Sequence, residues 1–180
     1  MLSITDRSES MVDLEMVHSQ VKDKDIVKEI RRKNVYALVS WFRDRKSVMY
    51  RIASAYCQSC SMDAVFKGAI INIFKNIKSL KGKEDFEYWA VDMFLDECRK
   101  ACGQKDVATQ YGPSFPDNDG DIIKYVRTLD GKEKDVVILK YHGGYSIREI
   151  ALILKIPEGE VRHSLYTGIK NITERAGEKS

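Results

Sequence analysis

Ser146, Arg148, Arg162, His163, Tyr166 and Lys170 stand at spacings that suit recognition of a polyanion, not bond-making chemistry. Guanidinium, ammonium, imidazole and hydroxyl groups along one helix face donate hydrogen bonds to phosphate oxygens and base edges. The elements that must hold them are legible in Leu129 to Ile172. Ser146-Ile147-Arg148-Glu149 reads as a capping box that starts a helix. Ile147, Ile150, Ala151 and Leu154 follow at helical spacing and form its apolar stripe. Pro157 closes the short Lys155-Ile156-Pro157 turn, because proline disfavours helix at the residue before it and tolerates a new helix start. The next helix is expected to turn Val161, Leu165 and Ile169 inward and Arg162, His163, Ser164, Tyr166 and Lys170 toward a ligand. Helix, tight turn and polar helix in this order are the layout of a helix-turn-helix DNA reader. A plain three-helix bundle could share the stripes, but it does not require a capping box, a short turn and a basic second helix together.

Other reactive residue types do not assemble. Cys57, Cys60, Cys98 and Cys102 form a CxxC and a CxxxC, far apart and without the glycines or prolines of a zinc knuckle. Each pair lies in or beside an apolar helical pattern, where cysteine behaves as a small hydrophobe, so no metal is expected. His18, His142 and His163 are scattered, and no nucleophile, base and orienting group stand together. No phosphate-cradling glycine loop is present. The expectation is a protein that is not an enzyme and needs no cofactor.

The rest of the chain reads as helical. From Asp25, apolar residues recur at steps of three and four: Ile26, Ile30, Val35, Leu38, Val39 and Phe42, then Val48, Ile52 and Ala53. A further helix is expected from about Met62 to Ile77, and another from about Asp85 to Cys102 with Phe86, Trp89, Met93 and Phe94 inside. Strand alternation is absent. The segment Gly103 to Gly120 is rich in glycine, proline, aspartate and asparagine and reads as a flexible tether. The organisation is all-α: a frayed amino-terminal stretch (1–24), a helical domain (25–102), a linker (103–121) and a helix-turn-helix domain (122–176). The 180 residues suit one domain or two small ones, with 43% hydrophobic and 32% charged residues. A net charge of +3 permits nucleic acid without demanding it. No apolar run approaches the roughly 18 residues of a membrane span and no leader is evident, so a cytoplasmic protein without membrane attachment is expected.

From Asp25 onward the chain resembles a bacterial RNA polymerase sigma factor of the extracytoplasmic-function group, which keeps two domains called region 2 and region 4. IVKEIRRKNVYALVSWFRDRKSVMYRIA is similar to the start of region 2. SMDAVFKGAIINIFKNIKSLKG looks like region 2.2, and KEDFEYWAVDMFLDECR looks like regions 2.3 and 2.4, with Trp89 at the family's tryptophan. Leu129 to Ile172 fits region 4 without a gap. The resemblance implies docking of region 2.2 on the β′ subunit of core RNA polymerase, with Asp63, Lys67, Asn72 and Lys75 on the contact surface. It implies promoter melting by regions 2.3 and 2.4, with Lys81, Lys83, Phe86, Trp89, Arg99 and Lys100 toward DNA. Aromatic stacking and basic side chains are the usual means of holding single-stranded bases. Phe86 and Trp89 fit an apolar core stripe as well, and for Trp89 the core is the favoured reading. Region 4 would read the upstream promoter element. The linker's Asp117, Asp119 and Asp121 would suit a positively lined polymerase channel next to the β and β′ subunits.

The chain departs from the family pattern in ways that weaken its hold on DNA. Lys67 reverses a charge in region 2.2, and the basic cluster of region 2.4 shrinks to Arg99, Lys100 and Lys105. Ser164 and Thr167 stand where the recognition helix usually carries arginines, and Glu160 where threonine is common. Each lost base contact costs about 1–3 kcal/mol. A sigma factor helped by an anti-sigma factor or a DNA-targeting partner is therefore expected. The alternative is a sigma-like regulator that binds an operator as a dimer without polymerase.

Overall fold

The computed structural model describes residues 25–56, 61–82, 85–103 and 122–177. The expected frayed amino-terminus, the tether beyond Gly103 with its acidic run, Lys105, Lys83, Cys57, Cys60 and His18 lie outside the described residues. Every regular element among the described residues is helical.

The amino-terminal half contains α1 (25–31), α2 (Val35–Asp44), α3 (Lys46–Tyr56), α4 (Met62–Asn76) and α5 (Phe86–Gly103). The apolar period running from Ile26 to Phe42 is interrupted between α1 and α2. Lys33 adopts a left-handed backbone (φ 67°), and Asn34 restarts the helix by accepting the Tyr36 amide at 3.1 Å. Ser61 caps α4 in the same way, accepting the Ala64 amide at 3.3 Å, and Ile77–Ser79 ends it in a 3₁₀ turn. Asp85 accepts the Glu87 amide at 2.8 Å and starts α5. Aromatic rings lock these helices edge to face: Trp41 on Phe86 at 5.4 Å, and Phe66 on Phe94 at 5.3 Å.

The carboxy-terminal half contains α6 (Ile122–Arg127), α7 (Gly131–Ile138), a π turn (Leu139–Gly143), α8 (Ile147–Leu154) and α9 (Glu158–Gly177). Gly144 ends the π turn with φ 77°, a left-handed conformation that glycine adopts without penalty. Lys155 takes φ 56° and stops α8, as its amide reaches back to the Ala151 carbonyl. Pro157 then accepts the Glu160 and Val161 amides and launches α9.

The two helical modules read from the sequence are not held apart here. Helix α3 packs on the π turn, α6 and α7, while α5 packs on α8, and the buried residues of both halves form one continuous cluster. Polar contacts reinforce the seam: Arg51 Nε donates to the His142 carbonyl at 3.0 Å, and Arg127 Nη2 donates to the Ser54 carbonyl at 2.9 Å. Among the described helices none is long and apolar enough to cross a membrane.

Candidate nucleic-acid interface

The helix-turn-helix is built by α8 and α9, and its geometry follows from the capping box. Ser146 Oγ accepts the Glu149 amide at 3.3 Å, and Glu149 Oε2 accepts the Ser146 amide at 2.7 Å. Both groups hold the start of α8, so Ser146 positions the reader, and its exposed hydroxyl still has a hydrogen to donate. Arg148 is exposed on α8. Along α9, Arg162, His163, Tyr166 and Lys170 are all exposed, and Tyr166 is 69% exposed. The basic groups there carry acidic company. Arg162 Nη2 lies 3.6 Å from Glu158 Oε2, and Lys170 Nζ lies 3.8 Å from Glu174 Oε1. Glu160, on the same helix, pairs with Lys132.

Two expectations for α9 change. Ser164 is buried at 7% exposure and faces α7, not a ligand, while Ile169 is 39% exposed instead of inward. The inward seam is Val161, Ser164 and Gly168. A β-carbon on Gly168 would come within 2.8 Å of Val137 Cγ2, so the small residues let α7 and α9 approach closely. The signal was present in the small residues four apart; an aliphatic-only reading of the period passes over it.

In the amino-terminal half, Phe86 and Trp89 are core residues at 1% and 4% exposure, and in this structure they present no ring face to a base. For Trp89 this is the core position favoured from the sequence; for Phe86 the stacking role is corrected on that ground, since its ring is clamped by those of Trp41 and Trp89. Lys81 is exposed on the loop before α5. Lys100 is exposed and paired with Glu97 at 2.6 Å. Along α4, Asp63, Lys67, Ile71 and Lys75 are exposed at four-residue steps, a stripe with two cations and one large apolar side chain. Asn72 stands off that stripe; its Nδ2 donates to Glu97 Oε1 of α5 at 3.2 Å.

Arg99 is engaged within the protein and only partly exposed. Its Nη2 and Nε donate to Asp135 of α7 at 2.9 and 3.4 Å, and its Nη1 donates to Asp96 at 2.5 Å. Tyr56 Oη of α3 donates to Oδ1 of the same Asp135 carboxylate at 2.5 Å, the oxygen that Arg99 Nε also reaches. Burial works against the charge on Arg99, but the hydrogen bonds and attraction of Asp135 outweigh it and hold the guanidinium above its ordinary pKa. Burial, followed by the Asp135 charge, pushes the Tyr56 hydroxyl well up. Two further pairs tie α5 to α8. Lys155 Nζ lies 3.4 Å from Asp92 Oδ2, and Tyr88 Oη is 3.5 Å from Glu149 Oε1. Burial raises Asp92 in spite of Lys155, and burial with the Glu149 charge pushes Tyr88 up to about 12. Asp135 was the residue sequence reasoning missed: it is a carboxylate at the start of the apolar run Val136 to Leu139, and it is buried.

Cys98 is buried, and the Cys102 thiol donates to the Tyr56 carbonyl at 3.3 Å. Among the described residues no group of three or more histidine, cysteine, aspartate or glutamate side chains is placed to hold a metal.

Comparison with known proteins places this geometry. Residues 119–172 match the family described as Sigma-70, region 4, which covers α6 to most of α9. The fold is similar to that of CnrH, whose structure was solved in complex with the cytosolic domain of CnrY. That likeness has a TM-score of 0.68 and covers 88% of this chain and 99% of CnrH, at 14% sequence identity. No curated protein sequence matches the chain.

Proposed function

We infer that this chain is a two-domain sigma factor of the extracytoplasmic-function type, which binds core RNA polymerase and directs promoter recognition and opening. The observation that carries the reading is a region 4 match lying on a helix-turn-helix with an exposed polar face, inside a fold shared with CnrH over most of the chain. In this reading Arg148, Arg162, His163, Tyr166 and Lys170 meet the upstream element in the major groove, with Arg and Lys neutralising phosphates. The α4 stripe of Asp63, Lys67, Ile71 and Lys75 docks on the β′ subunit. Lys81, Lys100 and Arg99 meet the melted downstream element. Phosphate contact supplies most of the non-specific affinity of such proteins. With Glu158 and Glu174 beside the two α9 cations, the isolated chain binds promoter DNA weakly and relies on polymerase. A further protein acts on it as an anti-sigma factor or a DNA-targeting partner, in keeping with the CnrY domain bound to CnrH.

The test is run-off transcription from core polymerase with this chain, alongside a pull-down of polymerase and a sizing column. The reading expects a monomer that retains polymerase and initiates from a defined start. A dimer that ignores polymerase and binds an operator would overturn it and establish a regulator instead. Strong, sequence-specific initiation by the chain and core polymerase alone would remove the need for a targeting partner.

A further inference from the structure

We propose that Asp135 is an intramolecular latch: its carboxylate stands in for a nucleic-acid phosphate on Arg99 and holds the helix-turn-helix module shut over the polar face of α5. The part of this proposal that concerns DNA rests on the sigma-factor reading; the latch itself rests on geometry alone.

Three observations carry it. First, Arg99 grips Asp135 through two nitrogens, Nη2 and Nε, the fork by which guanidinium also recognises a phosphate. Second, the contact is made across the two halves of the chain. Asp135 lies on α7, while its two partners come from α3 and α5, and Asp135 is 7% exposed. Third, the covered face is polar and continuous. Tyr88, Asp92 and Arg99 follow one another along α5, and each is engaged by a residue of α7, of α8 or of the α8 C-cap, namely Glu149, Lys155 and Asp135. These ion pairs and hydrogen bonds border the apolar core that the two halves share, and their groups regain partners in water or on another polyanion when the halves part.

The latch is also within reach of a competitor. A cleft of about 260 Å³ opens beside it, lined by Tyr56, Arg99, Cys102, Gly131, Lys134 and Asp135. The Arg99 side chain keeps 36% of its surface exposed at that cleft. A DNA phosphate arriving there meets Arg99, displaces the carboxylate and frees α5. Closed and open states are thus exclusive: Arg99 serves Asp135 in one and DNA in the other.

The test uses the full chain and two variants, Asp135→Asn and Arg99→Gln, with helicity checked by circular dichroism. Small-angle scattering reads opening as a radius of gyration larger than wild type by about a tenth or more. The latch predicts that increase in both variants, and a smaller one in wild type as salt is raised from about 0.1 to 0.5 M, where exposed ion pairs are screened. Arg99 is 36% exposed, and Arg99→Gln leaves the buried Asp135 carboxylate with the Tyr56 hydroxyl, so the wild-type salt series tests the latch wherever a variant loses helicity. Helical variants with the wild-type radius, or a wild type already as extended as they are, would overturn the latch. A second measurement, anisotropy of a labelled single-stranded oligonucleotide, separates the two readings. The latch on a sigma factor predicts several-fold tighter binding by Asp135→Asn and no gain in Arg99→Gln. Opening of both variants without that gain upholds the latch and counts against the DNA role of α5.

Discussion

Asp135 shows how much can depend on one carboxylate. It accepts from Tyr56 and Arg99, so truncation strands a buried hydroxyl and a half-buried cation at once. Breaking a fully buried pair costs about 3–5 kcal/mol; Arg99 is partly exposed and can rehydrate, so Asp135→Ala is expected to cost about 2–3 kcal/mol. A urea titration followed by circular dichroism checks it, and an unchanged midpoint would contradict the assignment. Nothing in the sequence marks this residue, because its partners lie 79 and 36 positions away and no period links them. The same blindness affects Phe86 and Trp89. Aromatic identity serves a stacking platform and a core equally, and only the arrival of Trp41 from another helix decides between them.

Helix α9 was legible as a helix and as the outer face of a reader, because Arg162, His163, Tyr166 and Lys170 fall on one side of its period. Its inward face was not, since the seam is cut by small residues and not by large ones. Gly168→Ala should therefore destabilise by about 1–2 kcal/mol: overpacking against the stiff Val137 exceeds the roughly 1 kcal/mol gained in helix propensity. Thermal melting measures the loss, and a more stable variant would show that the α7–α9 contact is loose. The outward face invites a second change. Replacing Glu158 and Glu174 with glutamine relieves Arg162 and Lys170 of their carboxylates. The slope of log K against log salt for duplex DNA should then steepen by about 1–2, close to one unit per phosphate gained. An unchanged slope would place α9 away from the DNA backbone.

Across the whole molecule, both helical modules could be read from apolar spacing, whereas their mutual packing could not, because neither the meeting of apolar stripes far apart in the chain nor the buried polar residues beside them is marked in a sequence. Three tyrosines on that seam give it a pH dependence. Burial is the largest cause of the raised pKa at Tyr56, Tyr88 and Tyr145, reinforced by Asp135, Glu149 and Glu87 respectively. A tyrosine free in the unfolded chain ionises near about 10. Each raised group therefore contributes stability that is intact below about pH 10 and is lost as pH climbs through its folded value. Tyr88 is pushed up to about 12. The melting temperature should fall steeply above about pH 10, with phenolate absorbance appearing in step with unfolding; full ionisation of the native protein near pH 10 would refute the seam. Helix α5 adds a consequence in time. It leaves the ribosome before α7 and α8, the helices that cover its polar side, have been made. At about 5–20 residues per second, that side stays open for on the order of ten seconds. Every newborn molecule passes once through an unguarded state before it can close on itself.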